Sequence, residues 1–222
     1  MGQLYLVRHG QASLGANDYD QLSPLGARQA QRLGEHWKAQ DLRFDAVITG
    51  SLKRHIQTLE GIQQGLGTAH SATVWPGLNE YDSEAIIRCV HAGPLSKPTT
   101  PEGYREHFRM LRQGLSAWMR GQGQAQGLPP HTEFLEGITS ALDHIRTQHD
   151  GNVLLVSSGG PISMAVGHVL KLEIDSVIEL NLRIRNSAFC EFSFNPKRHS
   201  VVSFNTIPHL ETPKHKDWVT YA

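Results

Sequence analysis

Apolar and polar positions alternate along this chain in a pattern that repeats three times: a short apolar run, a polar turn, then an amphipathic stretch with helical spacing. The first run is Leu4–Val7, followed by the Gln11–Leu22 loop and a helix beginning at Ser23. Ser23 suits an N-cap and Pro24 suits the first helical position. Leu25, Ala30, Leu33 and Trp37 then fall along one face. The second run is Ala46–Thr49, turning at Gly50-Ser51 into a helix whose apolar face is Ile56, Leu59, Ile62 and Leu66. The third is Val153–Val156, turning at Ser157-Ser158-Gly159-Gly160 into a helix near Pro161 that carries Ile162, Ala165, Val166 and Val169. Near-continuous apolar runs are expected of parallel strands covered on both faces. Strands alternating with helices predict an α/β fold with a mostly parallel sheet.

The pattern changes between the second and third units. Residues 91–101 and 121–130 are rich in Gly, Pro and small polar residues and read as loops. Tyr104 to Arg120 between them predicts a helix with Phe108, Leu111, Leu115 and Trp118 inward. We read residues 82–131 as a cap inserted within a single domain spanning residues 1–222. Thr132 is the expected N-cap of a helix carrying Leu135, Ile138, Leu142 and Ile145. Late strands at Ala188–Phe194 and Val201–Phe204, with Asn195-Pro196 between them, predict a hairpin.

Composition narrows the function classes. The 222 residues carry 21 Lys plus Arg against 21 Asp plus Glu, so no global basic field points to nucleic acid or an anionic membrane. No apolar run is long enough to span a bilayer, and Met1 leads directly into the first strand, so neither a membrane segment nor a signal peptide is expected. Two cysteines, Cys89 and Cys190, are a poor disulfide framework and suit a reduced, cytoplasmic chain. The 13 histidines show no His-Glu-x-x-His or paired Cys-x-x-Cys spacing, so no metal site is expected. Nor is there a Cys-x₅-Arg loop, a P-loop or a Gly-x-Ser-x-Gly elbow.

The chemistry gathers at the three turns. Ligand sites in α/β folds lie beyond the carboxyl ends of the strands. The first turn supplies Arg8, a planar fork of donors suited to phosphate, and His9, a ring nitrogen that can act as a nucleophile. Gly10 is read as letting a ligand approach the backbone. The second turn supplies Ser51-Leu52-Lys53-Arg54. The third supplies Ser158 and Gly159 ahead of a helix N-terminus, which favours an anion. Glu80 is the candidate proton donor. Gln11 and Ser13 either touch the phosphate or brace the loop. His55 follows Arg54 by one residue, points about 100° away on a helix, and is expected outside the chemistry. Arg88, Arg105 and Arg112 are expected to be solvated charges.

At these residues the chain resembles the histidine phosphatase superfamily, also called the phosphoglycerate mutase-like family. The likeness lies in Leu6-Val7-Arg8-His9-Gly10-Gln11-Ala12-Ser13, in Leu22-Ser23-Pro24-Leu25-Gly26 with Gln29-Ala30, and in Ser51-Leu52-Lys53-Arg54 with Gln57-Thr58. The resemblance implies a three-layer α/β/α fold with a mostly parallel mixed sheet, flanking helices and a variable helical cap. It implies that His9 becomes phosphorylated, that Arg8 and Arg54 clamp the phosphoryl oxygens, and that Glu80 is general acid and then base. No metal or organic cofactor is implied. The partner is a small phosphorylated substrate rather than nucleic acid or membrane, and the chain is compatible with a homodimer.

One position departs from the resemblance. Ser158 stands where the family's third strand usually ends in a second histidine. A hydroxyl donates one hydrogen bond and carries no charge. Either Ser158 acts alone, or a histidine from elsewhere, such as His91 or His107 of the cap, fills the space. The leading expectation is a phosphatase acting on small monoesters. The alternatives are a phosphoglycerate mutase-type phosphoryl transfer and a phosphate-binding pseudoenzyme.

Overall fold

The first apolar run becomes strand β1 (Gly2–Arg8), in a computed structural model that describes residues 1–13, 20–95 and 98–221. Part of the predicted Gln11–Leu22 loop lies outside those residues. The second and third runs become β2 (Ala46–Thr49) and β4 (Asn152–Ser157), and a short β3 (Thr73–Val74) joins them. The predicted hairpin forms as β5 (Phe189–Asn195) and β6 (Arg198–Thr206). The six strands make one sheet in the order β3-β2-β4-β1-β5-β6. β1, β2, β3 and β4 run parallel, whereas β5 is antiparallel to β1 and β6 to β5.

Alternation along the central strands divides the interior in two. Leu4, Leu6, Val153 and Leu155 face one way, into a cluster that also holds Ile138, Leu142, Ile162 and Phe192. Val7, Leu154 and Val156 face the other, against Leu33, Trp37, Leu59 and Ile62. Successive strand side chains point to opposite faces, so each central strand serves both clusters. The second cluster is roofed by α1 (Pro24–Lys38) and α2 (Lys53–Leu66). The first is roofed by α5 (His131–Gln148) and α6 (Gly159–Leu170), with α3 (Ser83–Arg88), α4 (Pro101–Met119) and α7 (Ile174–Asn181) packed beyond. The result is the three-layer α/β/α arrangement with a mixed sheet. Ile86, Leu115 and Trp118 share the cluster of β4, so α3 and α4 are continuous with the sheet's interior.

Helix starts follow the sequence closely at α1. Ser23 accepts from the Gly26 N–H at 3.0 Å, and Pro24 occupies the first turn. Three details differ from expectation. Ile56 is 39% exposed and Phe108 is 41% exposed, so neither joins the inward face assigned to it. Helix α5 begins at His131 with Pro130 at the cap position, so Thr132 lies inside the first turn. The short elements β3, α3 and α7 were not anticipated. Among the described residues, no helix is long and apolar enough to cross a membrane.

Candidate active site

The carboxyl ends of β1, β2 and β4 lie side by side, because Arg8 pairs with Ser157 and Thr49 with Val156. His9 is placed by this register. Its N–H donates to the Ser157 carbonyl at 2.9 Å, and its own carbonyl accepts from Ser187 N–H at 3.2 Å. Its ring is buried, and Nδ1 lies 2.7 Å from the Gly10 carbonyl. A carbonyl only accepts, so Nδ1 carries the proton and Nε2 keeps a lone pair. Arg54 Nε–H donates to that Nε2 at 3.3 Å. Burial, Arg8, Arg54 and His55 together hold the His9 pKa well below the usual histidine value, which keeps the ring neutral.

Gly10 has a different purpose from the one read in the sequence. A Cβ there would sit 2.4 Å from the Gly26 carbonyl oxygen, so the missing side chain admits α1 rather than a ligand. The Gly10 N–H donates to Thr58 Oγ1, and Thr58 in turn donates to the Arg54 carbonyl at 2.6 Å. Gln57 accepts from the Leu22 N–H. These contacts lock the first and second turns together, and they account for the Gln57-Thr58 pair.

The two arginines are held by different partners. Arg54 is buried on the first turn of α2 and pairs with Asp20 at 2.7 Å. Arg8 Nη1 donates to the Ile184 carbonyl and, at 2.6 Å, to the Tyr221 carbonyl. The chain's final stretch thus folds back to the site. Gln29 ties it down through the Trp218 carbonyl and Thr220 Oγ1, and Arg28 lies over the Trp218 ring at 5.1 Å.

Glu80 is held in the same pocket by the loop before α3. Asn79 is bonded in both directions to Ser51, and Ser157 Oγ donates to the Leu78 carbonyl. Glu80 then accepts from the Gly160 N–H through both carboxyl oxygens at 3.2 Å. Of the N–H groups at the start of α6, that of Gly160 is therefore taken by this carboxyl. Burial raises the Glu80 pKa, and the Gly160 N–H, Arg54 and Arg8 pull it back.

His55 sits closer to His9 than the helical angle suggests. It is fully buried, and its ring lies 5.7 Å from the His9 ring. Its Nε2 is 2.6 Å from Ser158 Oγ. The imidazole that fills the space beside His9 thus comes from α2, not from His91 or His107. The helical angle between Arg54 and His55 is real, but the first turn of α2 overhangs the pocket, so both directions reach it. Burial and Arg54 lower the His55 pKa to about 3. Gly50 makes room, since a Cβ there would lie 2.2 Å from His55 Nδ1.

The remaining expected residues divide. Ser158 is buried beside His55, and Gly159 starts α6 with Arg8 Nε 3.7 Å from where its Cβ would stand. Gln11 braces the loop instead: its Oε1 accepts from Ser23 Oγ and its N–H donates to Gln29. Ser13 joins Gln21 through its backbone. Arg88, Arg105 and Arg112 pair with Glu84, Glu102 and Glu179 at the surface. Among the described residues, no cluster of His, Cys, Asp and Glu is arranged to hold a metal ion.

Comparison with known proteins bears on the family and the fold. The sequence model of the histidine phosphatase superfamily (branch 1) matches residues 4–207. A broad-specificity phosphatase of Saccharomyces cerevisiae is 23% identical over 181 residues, covering 73% of this chain and 67% of the yeast protein. A phosphoserine phosphatase from Entamoeba histolytica, solved with phosphoserine, superposes with a TM-score of 0.66 at 19% identity, over 95% of this chain and 100% of that one. A phosphoglycerate mutase from Bacillus anthracis superposes at 0.63 and 18% identity, over 94% of each chain.

Proposed function

The chain belongs to the histidine phosphatase superfamily, and from that premise we propose that it hydrolyses small phosphate monoesters through a phosphohistidine on His9. The observation that carries this reading is the His9 ring. Its Nδ1–H is committed to the Gly10 carbonyl, and its Nε2 lone pair faces the Arg54 guanidinium. A neutral nucleophile is thereby aimed at the place where a phosphoryl group would be clamped.

Phosphoryl transfer depends mainly on positioning and charge stabilisation. Arg8 and Arg54 supply the charge that matches the equatorial oxygens. In the first step Nε2 bonds to phosphorus, the bond from phosphorus to the ester oxygen breaks, and the Glu80 carboxyl gives its proton to that oxygen. In the second, water attacks phosphorus, Glu80 takes a proton from the water, and the phosphorus–nitrogen bond breaks to release phosphate. The raised Glu80 pKa supports the acid role in the first step. The yeast relative is itself a phosphatase, which supports hydrolysis over mutase transfer.

Phosphate release from a panel of phosphorylated metabolites tests the proposal, with wild type and His9→Ala in parallel. Loss of the nucleophile is expected to lower kcat by about 10³-fold or more. Hydrolysis at the wild-type rate by the variant would refute the mechanism. Isomerisation of 3-phosphoglycerate outpacing phosphate release would favour the mutase instead.

A further inference from the structure

We propose that Ser158 and His55 act as a unit in the phosphoryl pocket: the Ser158 hydroxyl donates to a phosphoryl oxygen, and His55 sets the direction of that hydroxyl. Ser158 is the catalytic partner here and His55 the positioning residue. The inference rests on the phosphohistidine reading of the site and goes beyond it by assigning a third oxyanion donor and its support.

The geometry carries three independent parts of the argument. First, Ser158 occupies the N-cap position of α6, yet among the described residues its side chain makes no capping hydrogen bond. A serine at this position normally accepts from a backbone N–H of the first turn. Here the Gly160 N–H goes to Glu80, and Ser158 Oγ turns to His55 instead. The hydroxyl has been withdrawn from its helix.

Second, the imidazole has a defined tautomer. His55 Nδ1 is buried without a hydrogen-bond partner among the described residues. A buried unpaired N–H is rarer than an under-satisfied acceptor. Nδ1 therefore keeps the lone pair, and Nε2–H donates to Ser158 Oγ. One acceptor position of the hydroxyl is then filled, and its proton must point away from His55.

Third, the place is right. Ser158 follows the residue that accepts from the His9 N–H, and it precedes the glycine next to Arg8. The His55 ring lies 5.7 Å from the His9 ring. Ser158 thus stands in the chain between the residue bonded to His9 and the glycine beside Arg8, and its proton, turned from His55, is left for a ligand oxygen. His55 faces Arg54, His9 and Ser158, and burial with Arg54 keeps it neutral well below physiological pH. The pair is thus a neutral donor throughout the working range.

A purely structural imidazole makes a different prediction. Methionine fills a similar volume and gives up one hydrogen bond, that to Ser158, so His55→Met is expected to fold. The experiment compares Ser158→Ala, His55→Met and the double variant on p-nitrophenyl phosphate, with His9→Ala and thermal melting alongside. Each single variant is expected to lower kcat by about 10–100-fold with KM changed less than about threefold, somewhat under the usual loss of a preorganised oxyanion donor. The double variant is expected to be no worse than the more damaged single variant, because one unit is removed only once. Wild-type kcat in either single variant, or losses that multiply in the double, would overturn the pairing. If His9→Ala still abolishes turnover in that case, the phosphatase reading stands while the pairing falls. Should p-nitrophenyl phosphate prove a non-substrate, vanadate affinity replaces kcat. The pairing then predicts about tenfold weaker binding for Ser158→Ala, and equal binding overturns it.

Discussion

Burial moves the pKa values of His9 and Glu80 in opposite directions. It lowers the His9 pKa and raises that of Glu80, because it disfavours the charged form of each. The proposed first step needs His9 neutral and Glu80 protonated. The lowered His9 value extends activity to acid, and the raised Glu80 value extends the protonated acid upward. kcat/KM is therefore expected to fall as pH rises through the Glu80 pKa, which lies above the ordinary carboxyl range. Glu80→Gln is expected to lower kcat by about 10²–10⁴-fold on a poor leaving group and to remove that alkaline limb. A pH profile of kcat/KM for both proteins checks this; a limb that persists in the variant would assign it to another group. Arg8, His9 and Arg54 were legible in the sequence because cations and an imidazole at strand ends have few structural uses. His55 was not, because a helical wheel gives an angle but not the helix's height above the sheet.

Elements were legible where several turns of pattern accumulated. β2 was read to the residue, and α1 was marked by Ser23 and Pro24. α3 and α7, of 6 and 8 residues, are too short for a 3.6-residue period to declare itself. The exposure of Ile56 and Phe108 has a related cause: periodicity ranks a face but does not say how wide a strip the neighbouring element covers. The tight seam between α1 and the first turn was also invisible, since it depends on backbone approaching backbone. A Cβ on Gly10 would be 2.4 Å from Gly26 O, and one on Gly26 would be 2.1 Å from Gln11 O. Gly10→Ala is therefore expected to cost about 1–3 kcal/mol as overpacking. Because α1 pushes back on the turn that holds His9, kcat should drop as well. Urea unfolding and steady-state kinetics measure the two effects, and an unchanged unfolding midpoint would contradict the seam.

At the scale of the whole molecule, net charge is zero, and local positive potential is made by placement alone. Burial of neutral histidines has a global consequence. His55 and His209 are each lowered to about 3, and His9 is lowered well below its usual value. Between roughly pH 6.5 and those depressed values, the unfolded chain binds protons that the folded chain does not. Stability is therefore expected to be full above about pH 6.5 and to decline as pH falls, by up to about 1.4 kcal/mol per pH unit for each group. Urea midpoints at neutral and mildly acidic pH would reveal the slope, and His55→Met should flatten it. A midpoint independent of pH would mean these imidazoles are protonated in the fold.

The sheet order bears on how the protein comes into being. β1 leads into His9 and leaves the ribosome well before β4 and β5, its neighbours in the sheet. Leu4 lies opposite Val153 on one side and Phe192 on the other. Such distant pairings are slow to close. Arg8 and His9 therefore spend most of synthesis at the tip of an unpaired strand, a natural template for wrong partners. The pocket cannot exist in any nascent chain that stops short of the end of β4, where Ser158 and Gly160 follow. A complete pocket is consequently late to form, and the residues of β1 are the ones that wait longest for it.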